Sequence, residues 1–368
     1  MRILIITGSH PPLKCGVGDY TAKLAETLTA TKEVEIAVLT DAAIDRCTGD
    51  APYKVIASIR TWTLRDTFRV ISSVKKYDPD IVHIQFPTQA YRDNLFPWMI
   101  PMILHWTGYT VVQTWHEQYP CRWEGLINGW VPGGLVVVRP NYKTNKPSWF
   151  LKIISNKEFR FIPNASAIPA VKLSAEERRA IRERFDGINR SLIVYFGFVS
   201  PIKGIETIFE ICNPDRNRIV LICELDPDIP YHRTVLQLMN GSRWRGKCFT
   251  TGFLPPIEVA RILASADAVM LPFTVGGGPW NTSVHGVCAQ GTFLMTTSNE
   301  TNGYFPAENI YYATPGNTQD MKHALETYVG TRKENPTDPS SDWNEIASAH
   351  IALYKSLQCR RQAETRDA

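Results

Sequence analysis

A run of three glycines at 276–278 follows an apolar segment and precedes three polar residues, Asn281, Thr282 and Ser283. Glycine has no side chain, so a ligand can come close to the main chain there. Free amide groups at the start of a helix bind phosphate oxygens, and hydroxyl side chains can add hydrogen bonds. The pattern predicts a diphosphate-binding turn in which Thr282 or Ser283 caps the next helix. A capped turn that binds nothing is the alternative.

Lys203 lies in a second glycine-bearing turn, between Gly197 at the end of an apolar run and Gly204 at the start of a helical segment. Positive charge is unfavourable at the amino end of a helix, because the helix dipole is positive there. An anionic partner such as a diphosphate would remove that penalty. We therefore expect Lys203 to bind phosphate; the alternative is a solvated lysine on a surface turn.

A third turn, near the amino terminus, places Gly16 and Gly18 where a helical pattern begins, with Asp19 beside them. Glycines at a helix start allow an anion or a polar group to reach the free amides. A glycine turn without a ligand explains the same residues. The spacing by itself leaves both interpretations open.

His116 and Glu117 directly follow the apolar segment "YTVVQTW". A histidine at the end of a strand is a common site residue, and a buried structural histidine is the alternative. The sequence contains no G-x-S-x-G nucleophile motif and no G-x-x-x-x-G-K-[ST] phosphate loop. No two histidines have H-x-x-x-H spacing, so we expect no metal site.

The elements that must position these residues alternate between short apolar runs and helical patterns. The runs are rich in valine and isoleucine and do not alternate with polar residues, which is typical of parallel strands buried on both faces. They are "RILIIT", "VEIAVLT", "DIVHIQF", "YTVVQTW" and "GLVVVRP" in the first half, and "SLIVYFGF", "RIVLICE", "GKCFTTGF", "DAVMLPF" and "TFLMTT" in the second. The order predicts an α/β fold with two Rossmann-like domains in tandem. We expect a surface linker at 332–342 and an amphipathic helix after it.

Length and composition limit the class of protein. The chain has 368 residues, 44% hydrophobic and 21% charged, and 40 basic against 36 acidic residues give a net charge of +4. That charge is too small to indicate a nucleic acid partner. The eight cysteines form no C-x-x-C pair, so we expect reduced thiols in a cytoplasmic protein. The apolar segment 94–106 is too short to span a membrane and predicts a buried helix, with peripheral membrane contact as the alternative.

Six segments, in the right order, resemble the retaining glycosyltransferases of the GT-B fold, in the nucleotide-sugar family often called family 4. Those of the first half are "PPLKCGVGDYTAKLAETL", "VHIQFP" with "VVQTWHEQY", and "RFIPNASAIP". Those of the second half are "YFGFVSPIKGIETIFE", "TTGFLPPIEVARILASADAVMLPF" and "WNEIASAHIALY". The resemblance covers most of the chain.

The resemblance implies two doubly wound, parallel-sheet domains that face a central cleft. Residues 1–168, completed by helix 343–358, would bind the acceptor, and residues 169–335 would bind the nucleotide sugar. It assigns His116 and Lys203 to catalysis; Gly16, Gly18, Lys203, Asn281, Thr282 and Ser283 to the donor diphosphate; Gly277, Gly278, Gly252 and Phe253 to the donor sugar and base; and Gln85, Glu117 and Asp19 to the acceptor. The reaction would move a sugar from a UDP-, GDP- or ADP-sugar to a glycan, polysaccharide or lipid-linked acceptor, with no metal or other cofactor.

Three departures from the family pattern bear on this interpretation. The two glutamates that relatives carry seven residues apart would fall near Gly278 and Gly286, and Phe198 stands where many relatives have arginine. A catalytically silent nucleotide-sugar or glycan-binding protein of the same fold is therefore an alternative, and so is a nucleotide-sugar epimerase. An NAD-dependent dehydrogenase fits less well, because no G-x-G-x-x-G with a following acidic residue is matched cleanly.

Overall fold

The chain forms two compact units, each built on its own sheet. The computed structural model describes residues 1–47, 51–92, 94–117, 123–144, 146–334, 336 and 339–366. Unit 1 comprises Met1–Asn164 with Ser341–Ala368, and unit 2 comprises Ala165–Ser340. The first unit thus ends four residues before the predicted boundary at 168.

Unit 1 contains a seven-stranded, all-parallel sheet. Its strands are β1 (Arg2–Ile6), β2 (Glu35–Asp41), β3 (Lys54–Ile59), β4 (Ile81–Phe86), β5 (Thr110–Trp115), β6 (Gly133–Val137) and β7 (Lys157–Phe161). Their order is β3-β2-β1-β4-β5-β6-β7, so the direction of strand addition reverses between β1 and β4. In such sheets ligands bind beyond the carboxyl ends of the strands at this reversal.

Five helices of unit 1 precede the carboxyl-terminal helix. They are α1 (Gly16–Ala30), α2 (Thr67–Tyr77), α3 (Phe96–Trp106), α4 (Trp123–Trp130) and α5 (Ser148–Ile153). In α1, Tyr20, Leu24 and Leu28 are buried at four-residue spacing, as the sequence predicts. Helix α1 begins at Gly16, ten residues after the end of β1, which is one of the two strands at the reversal.

Unit 2 repeats the plan with one antiparallel edge. Its strands are β8 (Ser191–Phe196), β9 (Asn217–Ile222), β10 (Cys248–Thr250), β11 (Ala268–Leu271), β12 (Leu294–Thr297), β13 (Gly303–Phe305) and β14 (Ile310–Ala313). Their order is β10-β9-β8-β11-β12-β14-β13, and only β13 runs antiparallel, against β14. The helices are α6 (Ala175–Glu183), α7 (Ile205–Ile211), α8 (Pro230–Asn240), α9 (Pro256–Ser265), α10 (Thr282–Cys288) and α11 (Thr318–Tyr328). The reversal lies between β8 and β11. The predicted α/β class with two doubly wound sheets is confirmed.

The last helix, α12 (Pro339–Arg366), packs on unit 1. Trp343 lies against Tyr20 with ring centroids 5.3 Å apart, and the Tyr354 hydroxyl lies 2.6 Å from His83 Nδ1. A side chain on Gly134 of β6 would crowd Leu357 of this helix, so glycine lets the helix approach the sheet. The predicted linker at 332–342 is wrong at its carboxyl end, because the helix begins at Pro339.

The apolar segment 94–106 forms α3, whose buried residues include Phe96, Ile100 and Leu104. Its last residue, Trp106, is 74% exposed. In the described part of the chain, no helix combines the length and the apolar character that crossing a bilayer requires. Membrane contact by this segment stays a prediction.

Candidate functional site

Unit 1 carries a patch of buried polar residues on one face of its sheet. His83 and Gln85 alternate along β4, and Thr114 and His116 alternate along β5 and its end. Residues two apart in a strand point to the same face, and Gln85 pairs with Thr114 across the two strands. All four residues are buried. Buried polar side chains need hydrogen-bond partners, and this patch supplies them to itself and to α12.

His116 lies at the carboxyl end of β5, where the sequence predicts a site residue. Its Nε2 lies 2.8 Å from Gln85 Oε1, and its ring meets the edge of the Tyr20 ring at a centroid distance of 4.8 Å. Burial, helped by the charge of His350, lowers the pKa of His116 to about 3. The ring is therefore neutral near pH 7, so it offers one N–H donor and one lone-pair acceptor.

The first turn of α1 contains Gly16, Gly18 and Asp19. A Cβ at Gly18 would lie 2.9 Å from the Ser9 carbonyl oxygen, so close packing of the helix on the preceding loop already requires glycine there. Ligand binding by Gly16 and Gly18 stays a prediction. Burial raises the pKa of the Asp19 carboxyl to about 6. Because burial disfavours the ionised form of this carboxyl, its retention in the first turn of a helix makes it a candidate binding group.

Glu117 follows His116 but faces a different environment. Its carboxylate accepts a hydrogen bond from Arg139 at 2.6 Å and is 58% exposed. Gln85, in contrast, is buried under His116. Of the three predicted acceptor residues, Gln85 thus contacts the histidine directly, whereas Glu117 is held at the surface by an ion pair.

Unit 2 brings Lys203 and the glycine run together through one aromatic ring. The Lys203 ammonium lies 4.7 Å from the centroid of the Phe273 ring. Gly277 packs on the same ring so closely that a Cβ would overlap Phe273. Lys203 follows β8 and Phe273 follows β11, the two strands at the reversal point. A cation over an aromatic face at this edge is placed where a ligand of an α/β sheet binds.

Two hydrogen bonds from its amide groups hold the glycine run in place before α10 begins. The Gly277 amide donates to the Thr297 carbonyl at 2.7 Å, and the Gly278 amide donates to Asn281 Oδ1 at 2.9 Å. Asn281, not Thr282 or Ser283, is the residue before the helix, so the predicted capping by a hydroxyl is wrong. The Asn281 side chain is used to fold the loop back, which leaves the first-turn amides uncapped. Within the described residues, the amides of Thr282 and Ser283 have no acceptor.

At the two positions where glutamates were expected, a side chain would meet other side chains of the protein. A Cβ at Gly278 would overlap the ring of Trp280, and a Cβ at Gly286 would lie 2.9 Å from Ser166 Oγ. Both glycines are buried. The missing acids are thus replaced by packing of the chain's own groups, and a glutamate at either position would require the loop or the 166–168 segment to move.

Gly252 and Phe253 lie beyond β10, at the edge of the sheet. Gly252 has φ of +70°, a conformation that favours glycine, and nothing lies within 4 Å of where its Cβ would be. Phe253 is 56% exposed. An exposed aromatic ring at the carboxyl end of a strand suits stacking on a base, which stays a prediction.

Two further features lie away from these residues. A cavity of about 440 Å³ opens at the opposite, amino-terminal edge of the unit 2 sheet, beside Ser191 and the Arg182–Asp267 ion pair. It contains none of the predicted site residues. Among the residues that the structure describes, no three histidine, cysteine, aspartate or glutamate side chains converge as a metal would require.

Solved structures with the same architecture identify the fold. Anabaena HepE in complex with UDP-glucose superposes with a TM-score of 0.70 at 14% identity, covering 99% of this chain and 100% of that chain. Sucrose-phosphate synthase from Thermosynechococcus elongatus gives 0.69 at 13%, covering 100% of both chains. The catalytic domain of starch synthase IV from Arabidopsis thaliana, bound to ADP and acarbose, gives 0.66 at 13%, covering 97% and 99%. The chain has the GT-B fold.

Likeness at this level of identity establishes the GT-B fold and not the reaction. No protein-family model and no curated protein matches the sequence. The superpositions confirm the GT-B fold that the six segments predict. What the chain binds must be argued from its own residues.

Sequence patterns do not identify several residues of the unit 1 polar patch and of the Lys203–Phe273–Gly277 contact in unit 2. In the sequence Phe273 is only the end of an apolar run, although an aromatic residue three positions before a glycine run is a usable signal. Tyr20 was interpreted as part of an apolar stripe, and its contact with His116 joins two segments that are distant in sequence. His83 and Tyr354 are 271 residues apart, and no local pattern connects them.

Proposed function

We propose that this chain is a glycosyltransferase that moves a sugar from a nucleoside diphosphate sugar to an acceptor hydroxyl. One observation carries the proposal: Lys203, Phe273 and Gly277 make one contiguous contact at the reversal point of the unit 2 sheet of a GT-B chain. Unit 2 would bind the donor and unit 1 the acceptor. Family 4 membership and retention of configuration are part of the proposal.

The chemistry requires a partner for the charge that develops on the leaving diphosphate. The Lys203 ammonium supplies a full positive charge, and the uncapped amides of Thr282 and Ser283 supply N–H donors. Preorganised donors of this kind lower a barrier by roughly 2.7–4 kcal/mol each. We propose that these groups, without a metal ion, stabilise the diphosphate, while the leaving phosphate helps to take the acceptor's proton.

Unit 1 would hold the reacting sugar and the acceptor. His116 is neutral and buried except for 8% of its surface, so it can exchange hydrogen bonds with sugar hydroxyls without adding charge. Asp19, Gln85 and Glu117 are the proposed acceptor contacts. The acceptor would be a glycan, a polysaccharide or a lipid-linked saccharide.

A second candidate, a nucleotide-sugar-binding protein without turnover, is favoured by one observation. The glycines at 278 and 286 are packed against Trp280 and Ser166, where relatives would carry acids beside the donor. A chain without those acids could retain diphosphate binding through Lys203 and lose catalysis. Binding and turnover must therefore be measured separately.

The experiment begins with a thermal-shift screen of UDP, GDP, ADP and their glucose conjugates, because a ligand stabilises the fold by RT ln(1 + [L]/Kd). Release of nucleotide from the selected sugar is then measured, with and without oligosaccharide acceptors. We expect Lys203→Ala to lower the release rate at least tenfold. Lys247→Ala is the matched control, since Lys247 lies in the same unit and pairs with Asp215 at 3.3 Å.

Each outcome separates the candidates. Normal turnover of Lys203→Ala would show that the diphosphate is not bound by this lysine. Nucleotide binding without release of product would favour the binding protein. Conversion of the donor without acceptor and without nucleotide release would favour an epimerase.

A further inference from the structure

The polar patch under His116 forms a continuous hydrogen-bonded chain that ends on the last helix. His116 Nε2 contacts Gln85 Oε1 at 2.8 Å, and Gln85 Nε2 contacts His83 Nε2 at 3.2 Å. His83 Nδ1 then contacts the Tyr354 hydroxyl at 2.6 Å. We name these four side chains the relay. His83, Gln85 and Tyr354 have no exposed surface, so water does not compete for these bonds.

The donor and acceptor roles along the relay are linked. The carboxamide nitrogen of Gln85 can only donate, so His83 Nε2 accepts and His83 Nδ1 carries the proton that is donated to Tyr354. The carboxamide oxygen of Gln85 can only accept, so His116 Nε2 carries the proton. With His83 in this tautomer, the Thr114 hydroxyl, 2.7 Å from Nε2, is a second donor that shares this lone pair with Gln85. Each assignment fixes the next one.

The opposite set of roles is also self-consistent, which makes the relay a two-state element. If His83 carried its proton on Nε2, the Gln85 amide would have to turn over and donate to His116. His116 would then carry its proton on Nδ1. The tautomer of His116 thus depends on whether Tyr354, about 270 residues away along the chain, accepts from His83.

We propose that Gln85, His83 and Tyr354 are positioning residues that hold His116 with its proton on Nε2, so that Nδ1 presents a lone pair to a ligand hydroxyl. Among the described residues the His116 ring is hydrogen-bonded through Nε2, which leaves Nδ1 for this role. The last helix therefore contributes to the site through a proton position rather than through contact with substrate. Only the ligand part of this inference rests on the proposed transferase function.

The direct test is the nitrogen chemical shift of the histidine rings, measured by long-range ¹H–¹⁵N correlation on the full chain at pH 7.5. We expect His116 to be protonated on Nε2 and His83 on Nδ1. A wild-type His116 protonated on Nδ1 would overturn the proposal. This measurement needs no substrate, so it is decided independently of any transferase activity.

Tyr354→Phe removes the group that accepts from His83 Nδ1. We expect it to shift His116 toward the Nδ1–H tautomer and, with the nucleotide sugar selected above, to lower kcat at least fivefold with KM changed less than twofold. Ser356→Ala is the matched control, because it removes a hydroxyl of the same helix that donates to Glu158 at 2.9 Å, outside the relay. Its His116 tautomer should equal that of the wild type.

A double variant separates proton position from damage to packing. In Gln85→Glu the side-chain oxygen facing His116 accepts from Nε2–H whatever His83 does. Gln85→Glu with Tyr354→Phe should therefore restore the Nε2–H tautomer and recover at least part of kcat. An unchanged tautomer in Tyr354→Phe, or no recovery of the tautomer in the double variant, would refute the relay. If wild-type chain shows no turnover, the transferase proposal fails while the shifts still decide the relay.

Discussion

Asp19→Asn should stabilise unit 1 at neutral pH, which is unusual for the loss of a charge in a helix's first turn. Burial raises the pKa of Asp19 to about 6 from 3.8. Each unit of pKa corresponds to 1.36 kcal/mol, so the ionised carboxylate destabilises the folded state by about 3 kcal/mol above pH 6. Asparagine cannot ionise, so the substitution removes this destabilisation. It also loses the favourable interaction with the helix dipole, about 0.3–1 kcal/mol.

The sign of the pH dependence follows from the raised pKa. Below pH 3.8 the carboxyl is protonated in both folded and unfolded chains, and Asp19 has no effect. Between pH 3.8 and about 6 the unfolded chain loses its proton while the folded chain retains it, so the destabilisation grows. The stabilisation by Asp19→Asn should therefore fall from about 3 kcal/mol at pH 7.5 to about 1 kcal/mol at pH 4.5, before the dipole correction.

The assay is urea unfolding of wild type and variant at pH 7.5 and pH 4.5, followed by calorimetry at pH 7.5. A net gain of about 2 kcal/mol should raise the melting temperature of a unit of this size by about 4–8 °C. Glu26→Gln is the matched control, because Glu26 lies exposed on the same helix and pairs with Lys23 at 3.0 Å. Its effect should stay within about 0.5 kcal/mol. A destabilised Asp19→Asn at pH 7.5, or a gain of equal size at both pH values, would refute the burial argument.

Two further predictions concern packing and a buried carboxylate. Gly286→Ala should destabilise unit 2 by about 1–3 kcal/mol in urea unfolding, because the new Cβ lies 2.9 Å from Ser166 Oγ; a stabilised variant, the usual result for glycine in a helix, would contradict this contact. Asp66→Asn should destabilise unit 1 by about 1.5–3 kcal/mol at pH 7. Burial opposes ionisation of Asp66, but hydrogen bonds from Thr61 and Arg69 keep its pKa below 3.8, so this contribution decreases as pH falls from 3.8 through the lower pKa of the folded state. A difference between wild type and Asp66→Asn that does not decrease from pH 7 to pH 3 would contradict it.

The strands that were predicted and those that were missed differ in position within the sheets. The central strands of both units were recognised, because burial on both faces makes them continuous apolar runs. Three of the missed strands, β3, β7 and β13, are the outer strands of their sheets. β7 has the sequence "KEFRF", whose three charged residues hide the strand from an apolar pattern although Lys157 and Glu158 are buried. Apolar patterning therefore identified most interior strands and the outer strand β10, whereas it missed three outer strands and the interior strand β14.

The local turns of the candidate site could also be predicted, whereas their partners could not. Gly204 has φ of +62° and packs on the Pro272 carbonyl, so a glycine after Lys203 was informative by itself. The role of Phe273 depends on β8 and β11 lying side by side. The hydroxyls of Thr282 and Ser283 were expected to cap α10, but Asn281 folds the loop back instead. Local sequence gives several capping options, and the surrounding loop selects one.

The amino-acid sequence by itself determined the alternation of strands and helices, the three glycine-bearing turns and the position of a histidine at the end of a strand. These depend on side-chain periodicity and backbone freedom, which act over a few residues. The tertiary structure alone decided that Lys203 and Gly277 share the Phe273 ring, that Gly286 packs against Ser166, and that Tyr354 connects to His116 through β4. Those contacts join segments distant in sequence, and their energies depend on close packing and on hydrogen-bond direction, which no local pattern encodes.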